Sequence, residues 1–274
     1  MNKRQKDEYK RDWIANHGKY ERQTYRIFKK ALDGQIKNVI KSINEDGLSS
    51  AIALLPITIE PKLMNTAYIK AYELVGVSQG KWVTDWMTIF EKPIKSGIPI
   101  HSKKLLAFGS EFWRRKMREF LMIHGALKVK EVDETTINLI KRLLVKYQSQ
   151  GLSVIDQARQ MVKDLSNSSY NKNRALVIAR TESTTAANYT SLTAGKEANY
   201  QTIKEWLSIE DNRTRDSHRV ANGNQVGMDE FFIVNGEEMQ YPGDPNGSAS
   251  NNVNCRCSVL TIPLLDSDGL PVRR

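Results

Sequence analysis

Residues 201–209, "QTIKEWLSI", mark where the pattern of this chain changes. Ile203, Glu205, Leu207 and Ile209 alternate with Lys204, Trp206 and Ser208, the two-residue period of a strand. The long patterned stretches before residue 200 read with helical spacing instead. The change of period predicts an α+β protein: a mainly helical N-terminal region followed by a small β-rich module with a long helix packed on it.

Downstream of that stretch, "FFIVNGEEMQY" (231–241) reads as a hairpin. Asn235-Gly236 suits a type I′ turn between two short strands, because both residues tolerate positive φ. "PGDPNGSAS" (242–250) has pure turn composition, and "CRCSVLTIPL" (255–264) reads as a terminal strand expected to pair beside residues 203–209.

Upstream, "RALVIARTESTTAANYTSLTAGKEAN" (174–199) predicts a long helix rich in small residues. Before it, "SVIDQARQMVKDL" (153–165) opens with Ser153 and Asp156 at capping-box spacing. Its expected inner stripe is Ile155, Ala158, Val162 and Leu165. "DETTINLIKRLLVKYQSQG" (133–151) places Ile137, Ile140, Leu144 and Tyr147 on one face and closes on Gly151. "PKLMNTAYIKAYELVGVSQG" (61–80) predicts a helix ending at its glycine, and residues 44–61 a connection. In "YERQTYRIFKKALDGQIKNVIKSI" (20–43), Tyr25, Phe28, Leu32, Ile36, Val39, Ile40 and Ile43 form a stripe that Gly34 is expected to interrupt. The segment 91–104 breaks the helical pattern again. The expected divisions are 1–130, a basic helical region; 131–200, a helical lead-in; 201–264, the β-rich module; and 265–274, a tail.

The net charge of +10 is unevenly placed: +12 over residues 1–130, +2 over 131–200 and −4 over 201–274. A basic front attracts polyanions, although a solvated basic surface has the same composition. "FWRRKMREF" (112–120) interleaves Arg114, Arg115, Lys116 and Arg118 with aromatics, which makes these four the candidate DNA contacts. The same stretch reads as an amphipathic helix burying Phe112, Trp113, Met117, Phe120 and Leu121. With two cysteines the chain is not a disulfide-stapled secreted fold. It shows no apolar run of bilayer-spanning length and no leader-like N-terminus, so a soluble protein without a membrane partner is expected.

The densest polar grouping lies in the module: "DNRTRDSH" (211–218), "GDP" (243–245) and "NCRC" (254–257). Cys255 and Cys257 are too close for an unstrained disulfide. His218, Cys255 and Cys257 offer one nitrogen and two sulfurs to zinc, with Asp211, Asp216 or water as a fourth ligand. The two sulfurs are expected to need a backbone turn between them to meet at one ion. The alternative is a buried thiol pair and a hydrogen-bonded loop histidine. Arg256 is expected to pair with Asp211 or Asp244. Asp211, His218 and Asp244 also suggest a metal-dependent nuclease, yet no metal-nuclease spacing, phosphate-cradling glycine loop, serine elbow or HExxH supports it. Arg180 and Glu182, two apart on a helix, point to different faces and read as anchors tying that helix to the module.

Taken in order, the helix with Arg180-Thr-Glu182, Trp206, the Asp211-x-Arg213-Thr-Arg215-x-x-His218 segment, Asn235-Gly236, Pro242-Gly-Asp244-Pro and Asn254-Cys-Arg-Cys257 resemble the Mu F-like minor head protein family, the phage head morphogenesis domain. The resemblance covers about residues 170–262. It implies a non-enzymatic virion component, in few copies inside the head near the portal, assisting capsid assembly or DNA packaging and delivery. The implied partners are portal or capsid proteins and DNA, and the implied locations are the virion interior and, during assembly, the host cytoplasm. Relatives in that family can carry Cys-x-x-Cys where this chain has Arg215 and His218, and histidine where it has Asn252. Of that ligand set, His218, Cys255 and Cys257 remain; no cofactor is expected, and zinc is the one possibility to test. Related modules can also be fused to toxin domains; the roughly ten residues after this module are expected to leave no room for one.

Overall fold

A computed structural model describes residues 1, 3–88, 108–167 and 169–274. The segment 91–104, expected to break the helical pattern, lies outside the described residues. Nine helices and five strands are described: α1 (Lys3–Asp46), α2 (Leu48–Ala53), α3 (Leu55–Thr58), α4 (Pro61–Met87), α5 (Ser110–Ser149), α6 (Val154–Ser166), α7 (Ser169–Lys196), β1 (Thr202–Leu207), α8 (Asp216–Ala221), β2 (Gln225–Gly227), β3 (Phe232–Val234), β4 (Glu237–Met239), α9 (Ala249–Asn252) and β5 (Ser258–Pro263). The α+β reading holds, with the strands confined to the C-terminal module.

The helices are longer than glycine punctuation suggests. Gly34 does not interrupt α1, which runs unbroken from Lys3 to Asp46. A Cβ on Gly34 would lie 3.1 Å from Leu63, so the missing side chain permits close packing rather than a break. Gly80 likewise sits inside α4, where a Cβ would fall 2.2 Å from the Trp113 ring. The stretch around Arg114 and the stripe beginning at Asp133 belong to one 40-residue helix, α5. Position 130 therefore falls within a continuous helix. The expected connection at 44–61 is itself largely helical, as α2 and α3.

The described chain divides into two compact units. Unit 1 comprises Met1–Arg22, Ala71–Arg118 and Ile178–Arg274; unit 2 comprises Gln23–Lys70 and Glu119–Val177. Four long helices contribute residues to both.

Unit 2 is built on apolar packing. Ile36, Val39 and Ile43 of α1 meet Leu48, Leu55 and Ile59, Ile140 and Tyr147 of α5, and Met161 and Leu165 of α6. Burying each of the larger aliphatic side chains contributes about 1.5–3 kcal/mol. The cap of α6 forms as expected: Ser153 Oγ accepts from the Asp156 amide at 3.2 Å and donates to its carboxylate at 2.6 Å. The stripe is rotated, however. Gln157, Met161 and Leu165 are buried, Ala158 and Val162 pack beside them, and Ile155 is 66% exposed. Spacing alone allowed either of two neighbouring faces, and the packing selects the one centred on Met161.

In unit 1, β2, β1 and β5 form an antiparallel sheet in that order. The β1–β5 register pairs Ile203 with Ile262 and Trp206 with Val259, so the terminal strand lies beside residues 202–207. The hairpin forms at the expected turn, with Asn235 at φ 54° and Gly236 at φ 78° between β3 and β4. β1 is closed on both faces: even Lys204 and Glu205 are buried. Glu205 accepts from Lys6 of α1 at 2.6 Å and from Gln225 of β2 at 2.6 Å, while Lys204 donates to Gln240 at 2.7 Å. The alternation that signalled a strand therefore did not mark a wet face. The first 22 residues, expected to lie in a separate basic region, are part of the same unit as the module.

Candidate functional site

The site begins with α7. Threonine, serine and asparagine in a helix interior compete for backbone hydrogen bonds and normally weaken the helix. Here the run Thr181, Thr184, Thr185 and Asn188 hydrogen-bonds the loops of the module. Thr181 Oγ1 accepts from the Asn254 amide at 3.0 Å. Thr185 donates to the Gly243 carbonyl at 2.9 Å, an approach that needs glycine: its φ is 87°, and a Cβ would meet Thr185 backbone at 3.1 Å. Asn188 donates to the Pro242 and Cys257 carbonyls at 2.8 and 2.9 Å and accepts from the Val259 amide at 2.9 Å.

These contacts fix the segment Cys255–Cys257. Thr184 donates to the Cys255 carbonyl at 2.5 Å, Trp13 Nε1 of α1 to the Arg256 carbonyl at 3.0 Å, and Asn188 to the Cys257 carbonyl. All three carbonyls are therefore claimed by side chains of α1 and α7. Since Thr184 spends its proton on Cys255, the ring of His17, 2.8 Å away, donates to it through Nε2. Burial pushes His17 down to about 4, so it is neutral at neutral pH.

With its backbone held from one side, the segment presents both thiols to His218. Cys255 Sγ and Cys257 Sγ lie 3.6 and 3.5 Å from His218 Nδ1. No turn is needed between the cysteines, contrary to expectation, because residues two apart in an extended segment share a face. All three are buried, and their ligand atoms lie within 4.8 Å of one another. Trp206 of β1 backs the imidazole edge-on, with ring centroids 5.3 Å apart. A hydrogen bond from Cys257, followed by contact with His218, holds Cys255 well below the usual thiol range despite burial. The neighbouring Cys255 and then burial push Cys257 well above it.

The two nitrogen–sulfur separations match those of a tetrahedral zinc site. Metal–sulfur and metal–nitrogen bonds of about 2.3 and 2.0–2.1 Å place S and N about 3.6 Å apart, the separation found here. One feature of a metal-bound histidine is absent among the described residues: Nε2 of His218 is buried without a hydrogen-bond acceptor. Outer partners of that kind raise metal affinity 10–100-fold.

The remaining expected residues organise this framework. Asp211 accepts from the Arg213 amide at 3.0 Å, the Thr214 hydroxyl at 3.1 Å and Arg256 at 2.5 Å. Burial raises its carboxyl, and these bonds outweigh that and hold it below the usual carboxylate range. It is an Asx-type turn former with an ion pair, and the expected pairing of Arg256 with Asp211 is present. Asp244 accepts from the Gln240 and Asn246 amides at 2.6 and 3.0 Å, which fixes the Pro-Gly-Asp-Pro turn. Neither carboxylate joins His218 in a ligand group among the described residues. Asp216 points outward beside Arg219 and is not a ligand either. Arg180 anchors as expected, donating to both oxygens of Glu21 and to Asn254. Glu182 accepts from Tyr72 of α4 at 2.6 Å, which ties α7 to another helix.

The four candidate DNA contacts lie on α5. Trp113, Met117 and Phe120 are buried there, in keeping with an amphipathic helix. Arg114 meets Glu111 at 3.1 Å, Lys116 meets Glu197 at 2.9 Å and Arg118 meets Glu73 at 2.6 Å, while Arg115 lies over the Phe112 ring. The charges of Arg114, Lys116 and Arg118 thus already face a carboxylate.

The roles of Trp13, His17, Thr184, Thr185 and Asn188 escaped sequence reasoning. The available signal was the string of hydroxyl and amide residues within a helical pattern, which has no purpose in a purely apolar core.

This arrangement defines an all-helical frame gripping a small β module around a His/Cys/Cys cluster. Residues 141–260 match the model of the family described as Phage Mu protein F like protein. The match agrees with the resemblance carried by the motif order. The chain is also similar to the NAD(+)--arginine ADP-ribosyltransferase EFV of Enterococcus faecalis (strain ATCC 700802 / V583), 34% identical over 116 residues, covering 41% of this chain. The chain spans 23% of that relative's length. No solved structure matches the chain. Among the described residues, no helix is long and apolar enough to cross a membrane.

Proposed function

We propose that this chain is a minor head protein of a tailed phage, present in few copies inside the head near the portal, where it assists capsid assembly and the packaging or delivery of DNA. One observation carries the reading: the family match over residues 141–260 falls on the elements that build the module. The role is architectural. Asp211 and Asp244 are committed to holding turns, and the polar residues of α7 are committed to holding loops. Mass spectrometry of purified virions tests the proposal. It should find the chain well below the copy number of the major capsid protein, and its absence from intact heads would end this reading.

DNA is the second proposed partner, bound without sequence preference through the basic surface of residues 1–130. Counterion release makes such binding fall steeply with salt, by well over tenfold between 50 and 200 mM. The experiment requires the full chain, because residues 1–22 and 71–118 share a unit with the module. Salt-independent affinity would remove DNA from the partners.

His218, Cys255 and Cys257 form the proposed zinc site of the module. Metal analysis after zinc loading under reducing conditions should give about one ion per chain in the parent protein and none in Cys255→Ser. The activity in the relative's name is a competing assignment. Transfer of labelled ADP-ribose from NAD(+) to arginine by the purified chain would displace the architectural reading.

A further inference from the structure

The two thiols and the imidazole border a small cleft of about 20 Å³, which Ile209, Arg213, Thr214, Arg215, Asn254 and Arg256 also line. That volume admits one atom the size of a water oxygen and no side chain. We infer that the cleft receives one oxygen of an oxyanion of the phosphate class, as the fourth ligand of the metal site, with Arg213 and Arg215 holding the remaining oxygens. This rests on the zinc reading given above.

Among the described residues, no further side chain joins the ligand group to fill the fourth position. Asp211, the expected donor, turns one oxygen to the Arg213 amide and Thr214 and the other to Arg256. Among the described residues no carboxylate lines the cleft or joins the ligand group. Three protein ligands with an open position are the pattern of a site that exchanges its fourth ligand, whereas structural zinc sites are closed by four.

The charge around the opening then selects the ligand. Two thiolates balance a divalent ion, so the metal and its ligands are neutral and the arginines dominate. Arg256 is matched by Asp211. Arg215 donates one hydrogen bond, to the Val253 carbonyl at 2.6 Å, and its other donors remain. The guanidinium of Arg213 makes no hydrogen bond or ion pair among the described residues, although its backbone is pinned by Asp211. An exposed, unspent guanidinium on a fixed turn suits bidentate capture of phosphate oxygens. Inorganic phosphate and a nucleic-acid backbone phosphate share this chemistry.

The full chain, stripped with chelator and loaded with Co²⁺ under reducing conditions, provides the test. Thiolate-to-cobalt and visible bands should appear, and inorganic phosphate at constant ionic strength should shift the visible bands saturably where chloride does not. Arg213→Gln should weaken the response to phosphate about tenfold while leaving cobalt affinity and the far-ultraviolet circular dichroism unchanged. Dimethyl phosphate separates the two sources. If it acts like phosphate, a backbone diester is the ligand; if only inorganic phosphate acts, the ligand is a free or terminal phosphate. Bands that form but ignore both compounds overturn the inference alone, as does an Arg213→Gln protein that responds like the parent. Absence of cobalt bands overturns the zinc reading and the inference with it.

Discussion

Unit 2 and the module part of unit 1 conceal different kinds of side chain. In unit 2 the interior is mainly apolar, from Ile36 and Val39 through Ile140 to Met161 and Leu165, with Gln35, Asp133, Thr136, Gln157 and Asn171 as a smaller buried polar set. Around the module, Thr184, Thr185, Asn188, Thr190, Ser191, Lys204, Glu205, Ser208, His218, Asp244 and Asn251 are all buried. The difference follows from what each region must hold. Helices satisfy their own backbone and need only an apolar stripe to pack. A module made of short strands and turns leaves amides and carbonyls unpaired, and burying them requires partners. α7 supplies those partners with its own side chains.

This contrast is exposed to mutation. The largest effect is expected at Asn188. Removing its amide leaves the Pro242 and Cys257 carbonyls and the Val259 amide buried without partners, so Asn188→Ala should cost about 3–5 kcal/mol in denaturant unfolding. Asn188→Leu, similar in size, should be no better. In unit 2, Ile140→Ala should cost about 2–5 kcal/mol, whereas Ile140→Leu should cost less than about 1.5 kcal/mol. If Asn188→Leu proves as mild as Ile140→Leu, the distinction between the two interiors collapses.

Next in size is a pH effect placed in unit 1 by His17. Its folded value of about 4 lies below the ordinary 6.5, so the unfolded chain takes up the proton first. Stability is therefore intact above about pH 6.5, falls as pH drops toward 4 and levels below it. Its full extent is about 3 kcal/mol. Unfolding curves measured from pH 7.5 to 4 should lose this component in His17→Gln. An unchanged pH dependence would show that Thr184 and Cys255 do not require a neutral ring.

Zinc sharpens the comparison from the other side. At a free concentration one hundred times its Kd, zinc should add about 2.7 kcal/mol to the unfolding free energy of chelator-treated protein. Hydrogen exchange should place the gain in residues 201–263 and leave α6 unaffected. The smallest expected effect is at the α6 cap, where Ser153→Ala should cost about 1 kcal/mol in thermal unfolding.

Elements with a strong local signal were legible in sequence. The hairpin at Asn235-Gly236, the Ser153 cap and the period of 201–209 each rest on physics acting within a few residues. The meeting of His218 with both cysteines was also legible, in the nitrogen and two sulfurs that they offer to one ion. Gly34 and Gly80 were misread, because glycine as a breaker and glycine as a contact point look alike until the neighbouring helix is known.

By itself, the sequence determined the class of fold, the order of the module's motifs and the residues available for chemistry, since these depend on composition, spacing and local conformational preference. Only the tertiary structure decided that the first 22 residues belong with the last hundred, that Lys204 and Glu205 are buried, and that Asp211 is spent on a turn. Those outcomes depend on which distant surfaces meet, and a buried charge or carbonyl is stable only once its partner, here Lys6, Trp13 or Asn188, has been brought beside it.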